Sequence, residues 1–215
     1  MSKSKHQAAW EKKLQSACLH LKSADARLGK IIDNIGPCGL KSPENPEWFL
    51  VKSIVSQLIS TKAAETITAR LVGLLGDSPR QYLPKLSSMG ETDLSGIGLS
   101  GAKIRTLLEV SRKIRDGLRL DVNEGDLTPQ WEKELLAVKG IGPWTIHMFR
   151  MFGMGDLDVL APGDLGLRQG LARIDGMDRA YSPGDLARRC EPWRPFASVG
   201  TWYVWKNRDA QNLAK

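Results

Sequence analysis

Residues that build disulfides and metal sites are scarce in this chain. It has 3 cysteines and 3 histidines among 215 residues. Cys18, Cys38 and Cys190 are far apart and form no Cys-x-x-Cys pair, and an odd number of cysteines argues against a disulfide framework. The histidines have no acidic or cysteine neighbours at the spacing of zinc ligands. We therefore expect reduced thiols and no metal centre made of these side chains.

Long apolar runs are also missing. No segment reaches the roughly 18 apolar residues that a membrane-spanning helix needs, and residues 1–13 are polar and basic, unlike the apolar core of a signal peptide. The alternating pattern of a half-buried strand does not occur over any length. Apolar residues instead recur at helical spacing, for example in 49–59 and 102–117. The sequence therefore predicts an all-α protein that stays inside the cell, without a membrane partner.

Positive charge is in excess. Lys plus Arg number 31 and Asp plus Glu number 24, which gives a net charge of +7 and a pI of about 9.4. Apolar residues make up 41% of the chain, enough to form a core in one large domain or in two closely packed small ones. A basic balance favours a polyanionic partner such as nucleic acid, although many basic proteins bind none.

A glycine turn between two apolar segments dominates the middle of the chain. Thr128 and Pro129 have the residue types of an N-cap and a first helical position, so they predict the start of the helix that leads into Gly140-Ile141-Gly142. Two glycines permit a tight reversal with φ > 0, and the next helix then presents its unpaired N–H groups to an anion. The same residues could form a plain helix–helix turn. The positive charge of the chain favours a phosphate site.

Several further motifs occur in order around this turn. The similar segments are Ser53–Ser60, Gly98-Leu99-Ser100 with Lys103, Leu136–Thr145 followed by Pro162-Gly163-Asp164, and Trp193–Ala197 followed by Trp202. On these motifs the chain resembles the helix-hairpin-helix (HhH-GPD) DNA glycosylase superfamily, most closely the bacterial 3-methyladenine DNA glycosylase II group of its alkyladenine branch. The resemblance covers most of the chain.

This resemblance implies a two-lobed, all-α glycosylase fold with the active groove between the lobes. Residues 48–160 would form the central lobe that contains the hairpin, and residues 1–47 together with 161–215 would form the second lobe. No N-terminal β-domain of the kind found in some larger relatives is expected. Many relatives hold an iron–sulfur cluster with four cysteines near the C-terminus, but only Cys190 lies there. The chain is therefore expected to bind no cluster.

The catalytic residue that the resemblance implies is Asp164. Cleavage of an N-glycosidic bond builds positive charge on the sugar, which a fixed carboxylate stabilises. The carboxylate could equally activate a water molecule, and the residue type does not separate these two roles. Asp164 also has the type and position of an N-cap for the helix that follows it. Capping and catalysis are compatible, because a cap would hold the carboxylate in place.

The contacts with DNA are also assigned by resemblance. Leu58, with its neighbour Gln57, would form the wedge that fills the gap left by a base flipped out of the duplex. From the residues alone, Leu58 could instead be an ordinary core leucine. The residues expected at DNA phosphates are Lys139, Gly140, Ile141, Gly142, Thr145 and Lys103.

A pocket for the flipped base is expected from aromatic side chains, because electron-rich rings stack well on an electron-deficient alkylated base. The resemblance assigns this pocket to Trp144, Met148, Trp193 and Trp202. Met148 departs from the aromatic residue found there in some relatives, which changes a pocket wall and leaves the substrate range open. Gly163 departs from the second acidic residue that can precede the catalytic aspartate.

Trp144 also bears on the type of reaction. Bifunctional members of the superfamily place a lysine two residues after the second hairpin glycine, where it forms a Schiff base with the sugar, and this chain has Trp144 there. We therefore expect a monofunctional glycosylase for 3-methyladenine and 7-methylguanine, without lyase activity. Two alternatives stay open. One is a non-catalytic helix-hairpin-helix protein that binds DNA or recognises damage, and the other is a glycosylase for deaminated or oxidised bases.

The expected partner is double-stranded DNA that contains damaged bases, and the expected oligomeric state is a monomer. No cofactor is required for the hydrolysis. The hairpin carbonyls of Val138 and Ile141 are candidates for holding a structural Na⁺ or K⁺ ion. The expected location is the cytoplasm, with the nucleoid, in a bacterium and the nucleus in a eukaryote.

Overall fold

The computed structural model describes residues 2–43, 45–76, 78, 81–120 and 130–213. Over these ranges the chain is largely helical and contains no β-strand, which confirms the all-α prediction. None of the described helices is both long enough and apolar enough to cross a membrane. The predicted helix start at Thr128 and Pro129 lies outside the described residues.

The described residues form eleven α-helices. In order they are α1 (Ser2–Ala24), α2 (Ala26–Ile35), α3 (Pro46–Ser56), α4 (Thr61–Leu75), α5 (Tyr82–Ser88), α6 (Gly101–Arg115), α7 (Gln130–Leu136), α8 (Pro143–Met148), α9 (Leu165–Ile174), α10 (Pro183–Arg189) and α11 (Ala197–Leu213). Short 3₁₀ turns cover Thr92–Leu94 and Glu191–Trp193, and a π-helical segment covers Phe149–Met154. The chain divides into two compact units, residues 44–149 and residues 1–43 with 150–215.

Helices α3 to α8 belong to the unit of residues 44–149. The side chain of Asn45 caps α3 by accepting a hydrogen bond from the Trp48 N–H (2.9 Å), and Pro46 occupies the first turn, where its missing N–H costs nothing. Helix α3 packs against α4, α5, α6 and α8. The core residues of this unit include Leu50, Ile54, Leu71, Leu86, Leu94, Leu107, Leu108 and Leu135. The C-terminal end of α3 is thereby brought beside α6 and α8.

Helices α1, α2, α9, α10 and α11 belong to the other unit. Its core includes Trp10, Leu14, Leu21, Leu28, Ile32, Leu167, Leu171, Leu186, Trp193, Tyr203 and Val204. Helix α11 packs against α2 and α9. A Cβ added to Gly170 would lie 2.7 Å from Val204 Cγ1, so the glycine lets α9 approach α11 closely. This contact brings the beginning of α9 beside side chains of α11.

Candidate functional site

The turn between α7 and α8 contains the predicted glycines. Gly140 has φ +97°, whereas Gly142 is extended with φ −119°, so only the first glycine uses the left-handed region. Ile141 between them is buried, and its N–H donates to the Val138 carbonyl at 3.1 Å. A Cβ on Gly140 would lie 2.5 Å from Thr106 Oγ1. Both the backbone conformation and the close neighbour therefore require glycine at position 140.

Two side chains from other helices hold this turn. The Thr106 hydroxyl of α6 donates to the Lys139 carbonyl at 2.7 Å. The Gln57 amide, at the end of α3, donates to the Gly140 carbonyl (3.1 Å) and to Thr145 Oγ1 (3.0 Å). The sequence contains no signal for Thr106, because a threonine on an amphipathic helix has no spacing that identifies its partner.

We expect Gly140→Ala to lower the free energy of unfolding by about 2–5 kcal/mol. A left-handed non-glycine residue costs about 1–2 kcal/mol, and overlap with Thr106 adds an overpacking cost of about 1–3 kcal/mol. Gly142→Ala is the matched control, because Gly142 is extended and its Cβ would meet no atom within 4 Å; we expect it to cost less than about 1 kcal/mol. Urea unfolding of the three proteins measures the difference. Equal stabilities of the two variants would contradict the assigned role of Gly140.

Three residues predicted to contact DNA are engaged within the protein instead. Lys103 Nζ donates to the carbonyls of Val55 (2.8 Å) and Gln57 (2.6 Å), and burial lowers the pKa of this lysine. The Gln57 side chain bonds the hairpin, and Thr145 is only 3% exposed. The burial of Thr145 does not agree with a phosphate contact, and the Gln57 side chain bonds the hairpin and not a base. Two of the three ammonium donors of Lys103 are used by backbone carbonyls. The side chains of Lys103, Gln57 and Thr145 stabilise the hairpin and the C-terminal end of α3.

Leu58 lies at the apex of the loop between α3 and α4. Its side chain is completely exposed (104% of the reference value), and its φ is +56°, which makes it the only non-glycine residue with positive φ among those described. The alternative of a core leucine is therefore excluded. An exposed leucine on a strained backbone is unfavourable in water, so the position calls for a functional explanation.

The four predicted pocket residues are placed differently from one another. Trp144 stands at the start of α8 with 43% of its surface exposed, whereas Met148 on the same helix is buried at 7%. Trp193 has no exposed surface, and its Nε1 donates to Asp25 Oδ2 at 2.9 Å. Trp202 packs against Gly39 and edge-on against Tyr203.

Of these four residues, only Trp144 is exposed. The pocket assignment of Trp193 does not agree with its burial, because a ring with no accessible face cannot stack on a base. Met148 likewise lies in the core of its unit, and Trp202 is a partly buried residue that packs against the core of the other unit. Trp205, an aromatic residue outside this predicted set, lies beside Asp164.

Asp164 is the N-cap of α9. Its Oδ1 accepts hydrogen bonds from the Leu167 N–H at 2.6 Å and from Trp205 Nε1 at 3.0 Å. The Trp205 ring is itself stacked on Phe152, with ring centroids 6.1 Å apart and planes at 21°. The capping role inferred from the residue type is confirmed. Two N–H donors from different helices fix the orientation of the carboxylate, which lies at a partly exposed position.

Arg208 of α11 is a second residue beside Asp164 to which no sequence motif points. A Cβ added to Gly166 would lie 2.1 Å from Arg208 Nη1 and 3.2 Å from Asp164 Oδ1. Gly166 therefore leaves the space that the guanidinium group occupies. Neither Trp205 nor Arg208 has a local sequence signal, because both reach Asp164 only through the packing of α11 on α9.

The chain is similar to known proteins over most of its length. The model of the HhH-GPD superfamily of base excision DNA repair proteins matches residues 51–195. The DNA-3-methyladenine glycosylase of Saccharomyces cerevisiae is 32% identical over 98% of this chain and 76% of its own length. The matched segment includes the α3–α4 loop, the hairpin and Asp164.

Solved structures have the same fold. A DNA-3-methyladenine glycosidase of Bacillus halodurans superposes with a TM-score of 0.71 and 31% identity, over 90% of this chain and 89% of that one. The 3-methyladenine DNA glycosylase of Schizosaccharomyces pombe, solved in complex with abasic DNA, superposes with a TM-score of 0.75 and 22% identity, over 90% of this chain and 97% of that one.

Proposed function

Because the chain belongs to the HhH-GPD superfamily of base excision DNA repair proteins, we propose that it is a monofunctional glycosylase for alkylated bases in double-stranded DNA. The reaction is hydrolysis of the N-glycosidic bond, with 3-methyladenine and 7-methylguanine as substrates. The observation that carries this proposal is Asp164, a partly exposed carboxylate held by two N–H donors after a glycine hairpin. The names of the relatives from S. cerevisiae and B. halodurans support the choice of substrate.

Asp164 is the proposed catalytic residue. As the bond to the base breaks, the sugar acquires positive charge, and a carboxylate already fixed in position stabilises that charge without reorganising. The N-cap bond from Leu167 and the indole bond from Trp205 provide this fixed position. The same carboxylate oxygen atoms are suited to orienting the water that completes the hydrolysis.

The proposed contacts with DNA come from the unit of residues 44–149. Backbone groups of the hairpin at Gly140 and Gly142, with the exposed ammonium group of Lys139 beside them, bind a phosphate. Leu58 enters the base stack, where its burial offsets part of the cost of flipping the nucleotide. Its complete exposure and positive φ support this role.

Trp144 is proposed as a wall of the base pocket. Its exposed ring can stack on an electron-deficient methylated base. An indole has no amine to form an imine with the sugar, so the proposed enzyme has no lyase activity. The enzyme is proposed to act as a monomer and to need no cofactor for hydrolysis. A structural Na⁺ or K⁺ ion is proposed at the hairpin. The Val138 carbonyl already accepts the Ile141 N–H and retains a second lone pair for this ion.

The test is base release from DNA treated with a methylating agent and from duplexes with a single 7-methylguanine, hypoxanthine or 8-oxoguanine. We expect release of 3-methyladenine and 7-methylguanine, with strand cleavage only after heat or alkali. DNA binding without release of any base would favour a non-catalytic damage-recognition protein. Release of hypoxanthine or 8-oxoguanine alone would make it a glycosylase for other lesions, and a borohydride-trapped covalent complex would contradict the absence of lyase activity.

A further inference from the structure

The loop that carries Leu58 is short and is fixed at both ends. It links the last residue of α3, Ser56, to the first residue of α4, Thr61. At its far end Ser60 caps α4 by accepting a hydrogen bond from the Ala63 N–H at 3.3 Å. Leu58 and Ile59 between these ends are exposed. The loop therefore presents apolar side chains to solvent from a backbone that is bonded on either side.

Lys103 provides the bonds at the α3 end. The last carbonyls of a helix have no intrahelical donor, and Lys103 Nζ donates to two of them, those of Val55 (2.8 Å) and Gln57 (2.6 Å). A positive charge is also favourable at the C-terminus of a helix because of the helix dipole. The ammonium group thus holds the backbone of Gln57, the residue that immediately precedes Leu58.

The side chain of Gln57 joins the same loop to the hairpin. Its amide donates to the Gly140 carbonyl and to Thr145 Oγ1. Gln57 is therefore bonded at its backbone by Lys103 and at its side chain by the hairpin. Leu58 follows directly, in a left-handed conformation that a leucine rarely adopts. The bonds at Gln57 compensate for that unfavourable conformation.

We propose that Lys103 is a positioning residue for Leu58, and that Gln57 links the loop held by Lys103 to the hairpin. Lys103 does not contact DNA; it holds the carbonyls that precede Leu58 and so keeps the leucine ready to enter the base stack. This inference rests on the proposed wedge role of Leu58. A loop that is ordered before binding loses less conformational freedom when it inserts.

The first experiment measures insertion without catalysis. A duplex with a tetrahydrofuran abasic analogue and a neighbouring 2-aminopurine reports unstacking as a rise in fluorescence when protein is added. We expect the wild type to produce this rise, and Lys103→Met and Leu58→Ala to lose most of it. The control Lys113→Met removes the same charge from the same helix and is expected to behave as the wild type. No rise with the wild type, or a full rise with Lys103→Met, would overturn the proposal.

The second experiment separates positioning from a general loss of structure. With 7-methylguanine paired with cytosine, we expect Lys103→Met to lower the rate of base release by about 10-fold or more, the effect of losing hydrogen bonds to a charged group. With 7-methylguanine opposite a tetrahydrofuran residue, the base is already unpaired and the loss should be small. The double variant Lys103→Met with Leu58→Ala should be no slower than Leu58→Ala. Equal losses of rate on both duplexes, or a double variant that is slower than Leu58→Ala, would show that Lys103 does not act through Leu58.

Gln57→Met is a second variant that keeps the test available if Lys103→Met does not fold. Gln57 is partly exposed in a loop. We expect its replacement to reduce the fluorescence rise and the rate of base release opposite cytosine, as Lys103→Met does. A wild-type response of this variant would contradict the link to the hairpin. Insertion by the wild type without base release would refute the proposed function alone, whereas base release with unchanged insertion by Lys103→Met would refute the positioning role alone.

Discussion

The Asp164→Asn variant is expected to release methylated bases at least about 100-fold more slowly than the wild type, the usual loss when an electrostatic stabiliser of a transition state is removed. Asparagine is as good an N-cap as aspartate, and its side-chain oxygen can still accept from the Leu167 N–H and Trp205 Nε1. The substitution therefore removes the negative charge and retains the capping geometry. Single-turnover base release measures the rate.

The matched control for this variant is Asp93→Asn. Asp93 is exposed and accepts a hydrogen bond from the Gly90 N–H (2.7 Å), so its replacement changes the net charge equally and also retains an acceptor. We expect wild-type rates from Asp93→Asn, and equal thermal stability and DNA affinity for all three proteins. A wild-type rate from Asp164→Asn would mean that another group stabilises the transition state.

Sequence patterns identified the features that depend on local structure. The helical spacing of apolar residues predicts an all-α fold, since the spacing reflects which side of each helix is buried. The turn at Gly140 is predictable because a left-handed residue favours glycine. The N-cap at Asp164 is predictable for a similar reason, because Asp is a favoured capping residue whose partner lies three positions along the chain.

Contacts between distant segments were not predictable in this way. The resemblance implies a DNA contact for Lys103, and the sequence offers no correction, because a basic residue on a helix face has the same pattern whether it meets phosphate or carbonyl oxygens. Its partners lie 48 and 46 residues earlier in the chain. Similarly, Trp193 and Trp205 are both tryptophans in the C-terminal segment, and only the packing decides that one is buried against Asp25 and the other bonds Asp164.

The unit that contains Asp164 also contains a nearly buried ionic network around Arg189. Its Nη1 bonds Asp25 Oδ2 at 2.6 Å, and its Nε and Nη2 bond the two oxygens of Asp175 at 2.9 and 3.0 Å. The two carboxylates are only 5% and 6% exposed. Burial acts to raise the pKa of each aspartate, but the bonds from Arg189 and from Trp193 or Tyr181 outweigh it, so both pKa values lie below the ordinary value.

We expect Arg189→Met to lower the free energy of unfolding by about 3–5 kcal/mol at pH 7, because it leaves buried carboxylates without their main partner. Asp175 retains Arg27 and Tyr181, whereas Asp25 retains only neutral N–H donors. The control Arg188→Met removes an exposed arginine that pairs with Asp185, a pair worth less than about 1 kcal/mol. Urea unfolding measures both. Similar losses in the two variants would contradict the structural role of Arg189.

The pH dependence of the same variants gives an independent result. Because the folded pKa values of Asp25 and Asp175 are lowered, their contribution to wild-type stability is complete above the unfolded value of about 3.9 and is lost as the pH falls through the folded values. In Arg189→Met the carboxylates have lost the partner that kept them charged, so they take up protons at a higher pH and the cost of their burial is relieved. The stability difference between wild type and Arg189→Met should therefore shrink on acidification from pH 7 towards pH 4, while the small difference for Arg188→Met stays nearly constant. A difference that widens as the pH falls would mean that the network around Arg189 does not stabilise the charged forms of these aspartates.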